Sequence, residues 1–292
     1  MSILSPGLNV FSYAAKVKRP LILDGAIGDM LRNKNIPDQY LWMSYLNLKA
    51  PETVFKLHKR YVKAGADIIT TNTFRSNPAS FYNLKDDFVK FAKAGVELAL
   101  EAAKGKNILV AASNAPAEDC YKVKRELSYK ELVSNHHKHI GLLMDSGADL
   151  ILNETQSHLD EIIIICEFCG KKNIPFILSL FFDENLKLLS GEKVTYAIEI
   201  IKDYAPLAIG FNCIKPSVFE KLPHKVFKAC SWGMYMNCGT GSYSDEKIRS
   251  CLSPMEYLEH IKKYTPLSPS FIGGCCGSTP NHIKLIKEYF YE

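Results

Sequence analysis

The stretch ADLILNETQSHLDEIIIICEFCGKKNIPFILSL, residues 148–180, places two short apolar runs on either side of an amphipathic segment. ADLILNET (148–155) and IPFILSL (174–180) are too short for helices, and their Ile, Leu and Phe are not interleaved with polar residues in the way of a half-exposed strand. Both read as strands buried on two faces, and such strands are parallel. Residues 157–170 between them read as a helix, which is the crossover that two parallel strands require.

The same unit recurs outward in both directions. LILD (21–24), DIITTN (67–72), NILVAAS (107–113), PLAIGFNC (206–213), SWGMYMN (231–237) and SFIGG (270–274) bring the strand count to eight. The helices between them carry end signals. One opens at Pro51 and Glu52, shows Val54, Leu57, Tyr61 and Val62 on one stripe, and stops at Gly65. Another opens at Ser128 with Glu131 three residues on, a capping box, and runs Leu132, His136, Ile140 and Leu143 down one face to Gly147. Further helices are expected over 86–104, 192–203, 253–263 and 280–290, whereas 214–230 has no clear periodicity. Eight strands alternating with helices in 292 residues predict a (β/α)8 TIM barrel, a single domain over 1–292. An open doubly wound sheet is the alternative, but no GxGxxG follows the first strand.

Composition narrows the function. The 36 basic and 31 acidic residues give a net charge of +5 spread along the chain, so nothing concentrates a field for nucleic acid. No apolar run is long enough to cross a bilayer and no signal-peptide core is present, so a cytoplasmic protein is expected; residues 1–20, free of acids, faintly resemble a transit peptide. Nine cysteines, an odd number, fit a reducing compartment, where clustered thiols bind metal or do chemistry more often than they pair.

In a barrel, chemistry collects where strands end. Those positions are Asp24–Gly25, Asn72–Thr73, Asn114, Glu154–Thr155, Cys213, Asn237–Cys238 and Cys275–Cys276. Strands six and eight are two apart in the ring, so Cys213 and the Cys275–Cys276 pair can meet across the mouth. Three thiolates form an open Zn2+ site, with the fourth position left for substrate. Adjacent cysteines can serve one metal only if the backbone bends between them, a freedom expected of Gly273, Gly274 and Gly277. The other reading is that these cysteines pack as small apolar residues. Cys166 and Cys169, a CxxC inside a helix, are read as packing residues, as are Cys120, Cys230, Cys238 and Cys251. HHKH (136–139) is read as a solvated face with one inward histidine.

With GFNC, GGCCGSTP, LILDGAIGDML, GADIITTNTFRSNP, SGADLILNET and MYMNCG in order from about residue 20 to 290, the sequence resembles the homocysteine S-methyltransferase family. The resemblance implies that Cys213, Cys275 and Cys276 hold zinc with homocysteine sulfur as the fourth ligand. It implies that Asp24 and Glu154 face the substrate ammonium and that the backbone at Gly25 and Ala26 receives its carboxylate. Asn72, Thr73 and Asn237 either shape this pocket or satisfy loop backbone.

The expected reaction is methyl transfer from a sulfonium donor, S-methylmethionine, to homocysteine, giving methionine. The alternatives are betaine- or methylfolate-dependent methylation, or a zinc-thiolate barrel that binds thiols without methyl transfer. The chain ends after the helix that follows GGCC, so the stand-alone form is expected, acting on small molecules without nucleic acid or membrane. Arg75 stands where betaine-dependent members carry a tyrosine, which disfavours a quaternary ammonium and raises the prospect of an anionic group on the donor. Trp42 or Tyr40 is a candidate aromatic wall. Met236 in place of a proline, Cys238 after Asn237, and Asn114–Ala115–Pro116 in place of a Gly–Pro turn are further departures.

Overall fold

The computed structural model describes residues 19–32, 41–82, 87–228, 230–240 and 250–291; Tyr40 and residues 1–18 lie outside them, as does the side chain of Cys251. The eight expected strands form one parallel sheet: β1 (Leu21–Ile22), β2 (Ile68–Thr70), β3 (Leu109–Asn114), β4 (Leu150–Gln156), β5 (Phe176–Leu180), β6 (Ala208–Asn212), β7 (Trp232–Met236) and β8 (Phe271–Gly274). β1 pairs with β8, and the bridge from Leu23 to Ile68 closes the ring onto β2. This is the (β/α)8 barrel, and the open sheet is excluded.

Alternation along the strands divides the apolar residues into two layers. Leu150 and Leu152 of β4 join Leu21, Leu23, Ile68, Leu109, Ile177 and Phe271 inside the barrel, whereas Ile151 faces outward with Ile22, Ile69 and Val110 toward the helices. The helical ring is α1 (Pro51–Ala64), α2 (Phe88–Ala103), α3 (Tyr129–Asp145), α4 (Leu159–Lys172), α5 (Val194–Ile201), α6 (Pro216–Phe219), α7 (Pro254–Lys262) and α8 (Pro280–Tyr291). Pro51 and Gly65 bound α1, and Ser128 with Glu131 forms the capping box of α3. Among its described residues, the unclear stretch 214–230 contains the single turn of α6 and a 3-10 turn at His224–Lys228. No helix among the described residues is long and apolar enough to cross a membrane.

Two expectations need correction. HHKH turns two histidines inward: His136 and His139 are both fully buried. They stand three apart on one face of α3, and each has a polar partner there. His136 Nε2 meets Glu161 at 2.7 Å and His139 Nδ1 meets Asn114 Oδ1 at 2.8 Å. The three glycines around the cysteine pair also differ in role. Gly277 alone adopts a positive φ, +80°. Gly274 provides clearance instead, because a Cβ there would lie 2.4 Å from Ser278 Oγ.

Candidate active site

The C-terminal ends of the strands open into a cavity of about 1410 Å3, lined among others by Asp24, Gly25, Ala26, Arg75, Glu154, Tyr235 and all three candidate metal ligands. β7 brings the thiols together. It lies between β6 and β8, and its last carbonyls take the backbone of both cysteine segments: Cys213 N–H donates to Tyr235 O at 3.3 Å, and Cys275 N–H to Met236 O at 3.0 Å. Cys213 itself sits at φ +57°, a left-handed conformation that costs a non-glycine residue on the order of 1 kcal/mol or more and turns the chain sharply at the end of β6.

The result is a triangle of sulfurs. Cys213 Sγ lies 3.0 Å from Cys275 Sγ and 3.4 Å from Cys276 Sγ, and the latter two are 4.0 Å apart. These separations bracket the ~3.8 Å that tetrahedral geometry imposes on sulfurs about 2.3 Å from one zinc ion. Among the described residues, this is the one group of three or more Cys, His, Asp or Glu side chains arranged to hold a metal ion. A soft, all-sulfur donor set suits zinc, and three protein ligands leave it a position for substrate. The three thiols share protons unequally: hydrogen bonds from Cys275 and Cys276 hold Cys213 well below the usual thiol range, while the same bonds hold Cys275 and Cys276 above it.

Two further residues support the triangle. Tyr121 hydroxyl donates to Cys213 Sγ at 3.2 Å, and its ring packs edge-on against Phe181. Asp29 Oδ2 accepts the Gly277 N–H at 2.9 Å, anchoring the turn after the cysteine pair. The sequence offered no signal for either: Tyr121 lies in the β3–α3 loop, and Asp29 reaches across from the segment after β1.

The acids stand at the same mouth, Asp24 just after β1 beside β8 and Glu154 near the end of β4. Asp24, 1% exposed, accepts the Thr70 N–H at 2.8 Å and the Thr70 hydroxyl at 3.0 Å; burial keeps its carboxyl well above the ordinary range despite those bonds. Glu154 is pushed up to about 7, chiefly by burial and by the charge of Cys213, with the hydroxyls of Ser113 and Tyr235 opposing. It lies in a bulge near the end of β4, between Asn153 and Gln156, with Thr155 at φ +59°.

Ala26 is fixed from both sides: its N–H donates to Ser278 Oγ at 3.0 Å, and its carbonyl accepts from Tyr61 hydroxyl at 2.8 Å. Gly25 is pressed against the same two side chains. Asn72 is among the residues lining the cavity, and the side chains of Asn72 and Thr73 both hold other parts of the chain. Asn72 Nδ2 is committed to Met43 O and Asn47 Oδ1, and Thr73 hydroxyl donates to Ser113 O with its methyl toward Gly95 of α2. Asn237 lines the cavity, and its N–H donates to Ile214 O. Trp42 lines it too, with the Arg32 guanidinium 4.9 Å from its ring centroid. Met236 N–H is held at 3.0 Å by Tyr257 hydroxyl, which also donates to Gly273 O at 2.7 Å; a proline there has no N–H to give. Cys166 and Cys169 pack in the core, and burial pushes Cys169 up to about 12, which makes it inert. Cys120 and Cys238 are also buried and Cys230 half-buried.

A (β/α)8 barrel with three convergent thiols able to hold a metal ion, a buried Asp24 and a half-buried Glu154 at its mouth has the build of a thiol-handling enzyme. The chain belongs to the homocysteine S-methyltransferase family, whose sequence model matches residues 21–290. Among its relatives, "Homocysteine S-methyltransferase 2" of Arabidopsis thaliana is 25% identical, with 84% of this chain and 85% of the relative aligned. "Selenocysteine Se-methyltransferase" of Brassica oleracea var. italica is 24% identical over 91% of this chain and 87% of the relative. The metallated form of the homocysteine methyltransferase MmuM from Escherichia coli has the same fold, with a TM-score of 0.80 at 23% identity over 96% of this chain and 99% of that one.

Proposed function

We propose that this protein moves a methyl group from a sulfonium donor, S-methylmethionine, to the thiol of homocysteine, using zinc held by Cys213, Cys275 and Cys276. The observation that carries the reading is the sulfur triangle at the mouth, with separations of 3.0–4.0 Å and room beside it in the cavity. Zinc, when bound, keeps a coordinated thiol deprotonated at neutral pH, whereas a free thiol with a pKa of about 8.5 is only a few per cent thiolate.

The remaining work falls to the chain. Asp24 and Glu154 are acceptors for the α-ammonium of homocysteine, and a bound cation favours the ionised form of both carboxyls. Ser278 and Tyr61, by fixing Ala26, shape the backbone at Gly25–Ala26 against the substrate carboxylate. Tyr121 and Asp29 hold Cys213 and the 275–277 turn in place. The substrate sulfur supplies the electron pair for the new S–C bond; the donor C–S bond breaks with its pair remaining on the departing thioether, and one thiol proton is released to solvent. The two reactants only need to be aligned, and no protein nucleophile is required. In this reading the chain is one barrel domain acting in the cytoplasm.

The test is a donor panel. Purified protein, homocysteine and either S-methylmethionine, S-adenosylmethionine, betaine or methylfolate are incubated, and methionine is measured by mass spectrometry. S-methylmethionine is expected to give methionine. Failure with every donor defeats methyl transfer in favour of a thiol-binding barrel.

A further inference from the structure

Arg75 is a buried cation in the cavity wall and is 9% exposed. Its Nη1 donates to two backbone carbonyls of the β3–α3 loop, Pro116 O at 3.3 Å and Glu118 O. The guanidinium carbon stands 5.3 Å from the Phe74 ring centroid. Among the described residues, no carboxylate lies within ion-pair distance of it, and Nε and Nη2 make no hydrogen bond to them.

The acids on that loop are committed elsewhere. Glu118 turns its carboxylate to Lys122 at 2.8 Å and to the N–H groups of Glu126 and Leu127. Asp119 accepts the Tyr121 N–H at 2.8 Å. Arg32 and Lys138, the other cations lining the cavity, are exposed, so Arg75 is the buried positive charge of the wall among the described residues.

A largely buried guanidinium with donors to spare favours an anion beside it, and its planar fork matches a carboxylate. Its charge also repels a bare cation, and a methyl group that leaves as proposed must be carried on one. A zwitterionic donor resolves the conflict, with an anionic end at the guanidinium and the sulfonium directed to the thiols.

Building on the proposed sulfonium chemistry, we infer that Arg75 binds the carboxylate of the methyl donor and so selects sulfonium amino acids over sulfonium compounds without an acid group. The probes are S-methylmethionine and its methyl ester, which keeps the sulfonium and lacks the carboxylate. Calorimetric titration of the purified zinc-loaded chain reads binding directly, and methionine production reads KM. The unsubstituted protein is expected to bind the acid roughly 10- to 100-fold more tightly than the ester, the range for hydrogen bonds to a charged group. Arg75→Gln removes that preference while leaving KM for homocysteine within about twofold. Arg75→Lys, which keeps the charge without the fork, retains part of it.

Equal binding of acid and ester by the unsubstituted protein overturns the assignment even if the variants fold poorly. A loss in Arg75→Gln that is the same for both ligands overturns it as well, because it marks Arg75 as a support for the β3–α3 loop. Both outcomes are read from binding, so they stand apart from failure of the reaction, which appears as bound donor without methionine.

Discussion

Asn212 and Thr155 exchange two hydrogen bonds across the barrel mouth: Thr155 N–H donates to Asn212 Oδ1, and Asn212 Nδ2 donates to Thr155 Oγ1, both at 2.8 Å. The pair fastens the β4 bulge, which contains Glu154, to the last residue of β6, which precedes Cys213. One fully buried amide therefore sets the spacing between Glu154 and Cys213. Ser179 hydroxyl donates to the same Oδ1, so the position is over-determined.

Replacement of Asn212 by leucine leaves the Thr155 N–H and the Ser179 hydroxyl buried without an acceptor. The expected cost is about 1–3 kcal/mol of stability in a denaturant titration. KM for homocysteine should rise more than kcat falls, because Asn212 is proposed to position groups that bind substrate.

Asp24→Asn and Glu154→Gln remove charge from the proposed ammonium site without touching the sulfurs. Each is expected to weaken homocysteine binding by roughly 10- to 100-fold, with zinc content unchanged by atomic emission. A variant that loses metal along with substrate would show that its carboxyl supports the thiol triangle instead.

Gly274→Ala places a Cβ 2.4 Å from Ser278 Oγ, the group that accepts the Ala26 N–H. Ser278 must move, and both the Cys275–Cys276 turn and the Ala26 backbone lose a fixed point. A destabilisation of about 1–3 kcal/mol is expected, together with weaker zinc retention against a chelator.

Buried histidines make the fold sensitive to acid, while Asp24 and Glu154, whose carboxyls burial holds above their unfolded values, act in the opposite sense. Burial lowers His58, whose two ring nitrogens have no partner in the structure, to about 4, and lowers His139 to about 3. The unfolded chain protonates both near 6.5, so between that pH and the folded values the unfolded state binds more protons. Their contribution is fully present above about pH 6.5 and is lost as pH falls, by up to about 1.4 kcal/mol per pH unit for each residue. Glu161 adds acid sensitivity at lower pH: burial opposes ionisation, but the hydrogen bond and charge of His136 bring it down to about 2, so its contribution fades below the unfolded value of 4.5. His58→Leu should reduce the slope of melting temperature against pH between 6.5 and 4.

Much of this was legible in the sequence because it is local. Pro51 and Gly65 mark the ends of a helix wherever it packs, and the capping box at Ser128 and Glu131 needs only three residues of separation. The metal candidates were legible because strand ends in a barrel share one mouth, so Cys213 and Cys275 could be brought together by counting strands. What escaped depends on contacts between distant segments or on backbone exceptions. The Tyr121 hydroxyl meets a sulfur 92 residues away. Asp29 caps a turn 248 residues on. Thr155 and Cys213 take left-handed conformations that neither residue type announces. His139 reads as part of a charged helix face until Asn114 and Ser76 are seen against it.

The most direct test of the central claim is X-ray absorption at the zinc edge, on protein purified under reducing conditions and measured with and without homocysteine. The account predicts about one zinc per chain, with three sulfurs at about 2.3 Å and one lighter neighbour, changing to four sulfurs when homocysteine is added, and loss of the metal in Cys275→Ser. Four protein sulfurs before substrate arrives, or a coordination shell that homocysteine leaves unchanged, would contradict it.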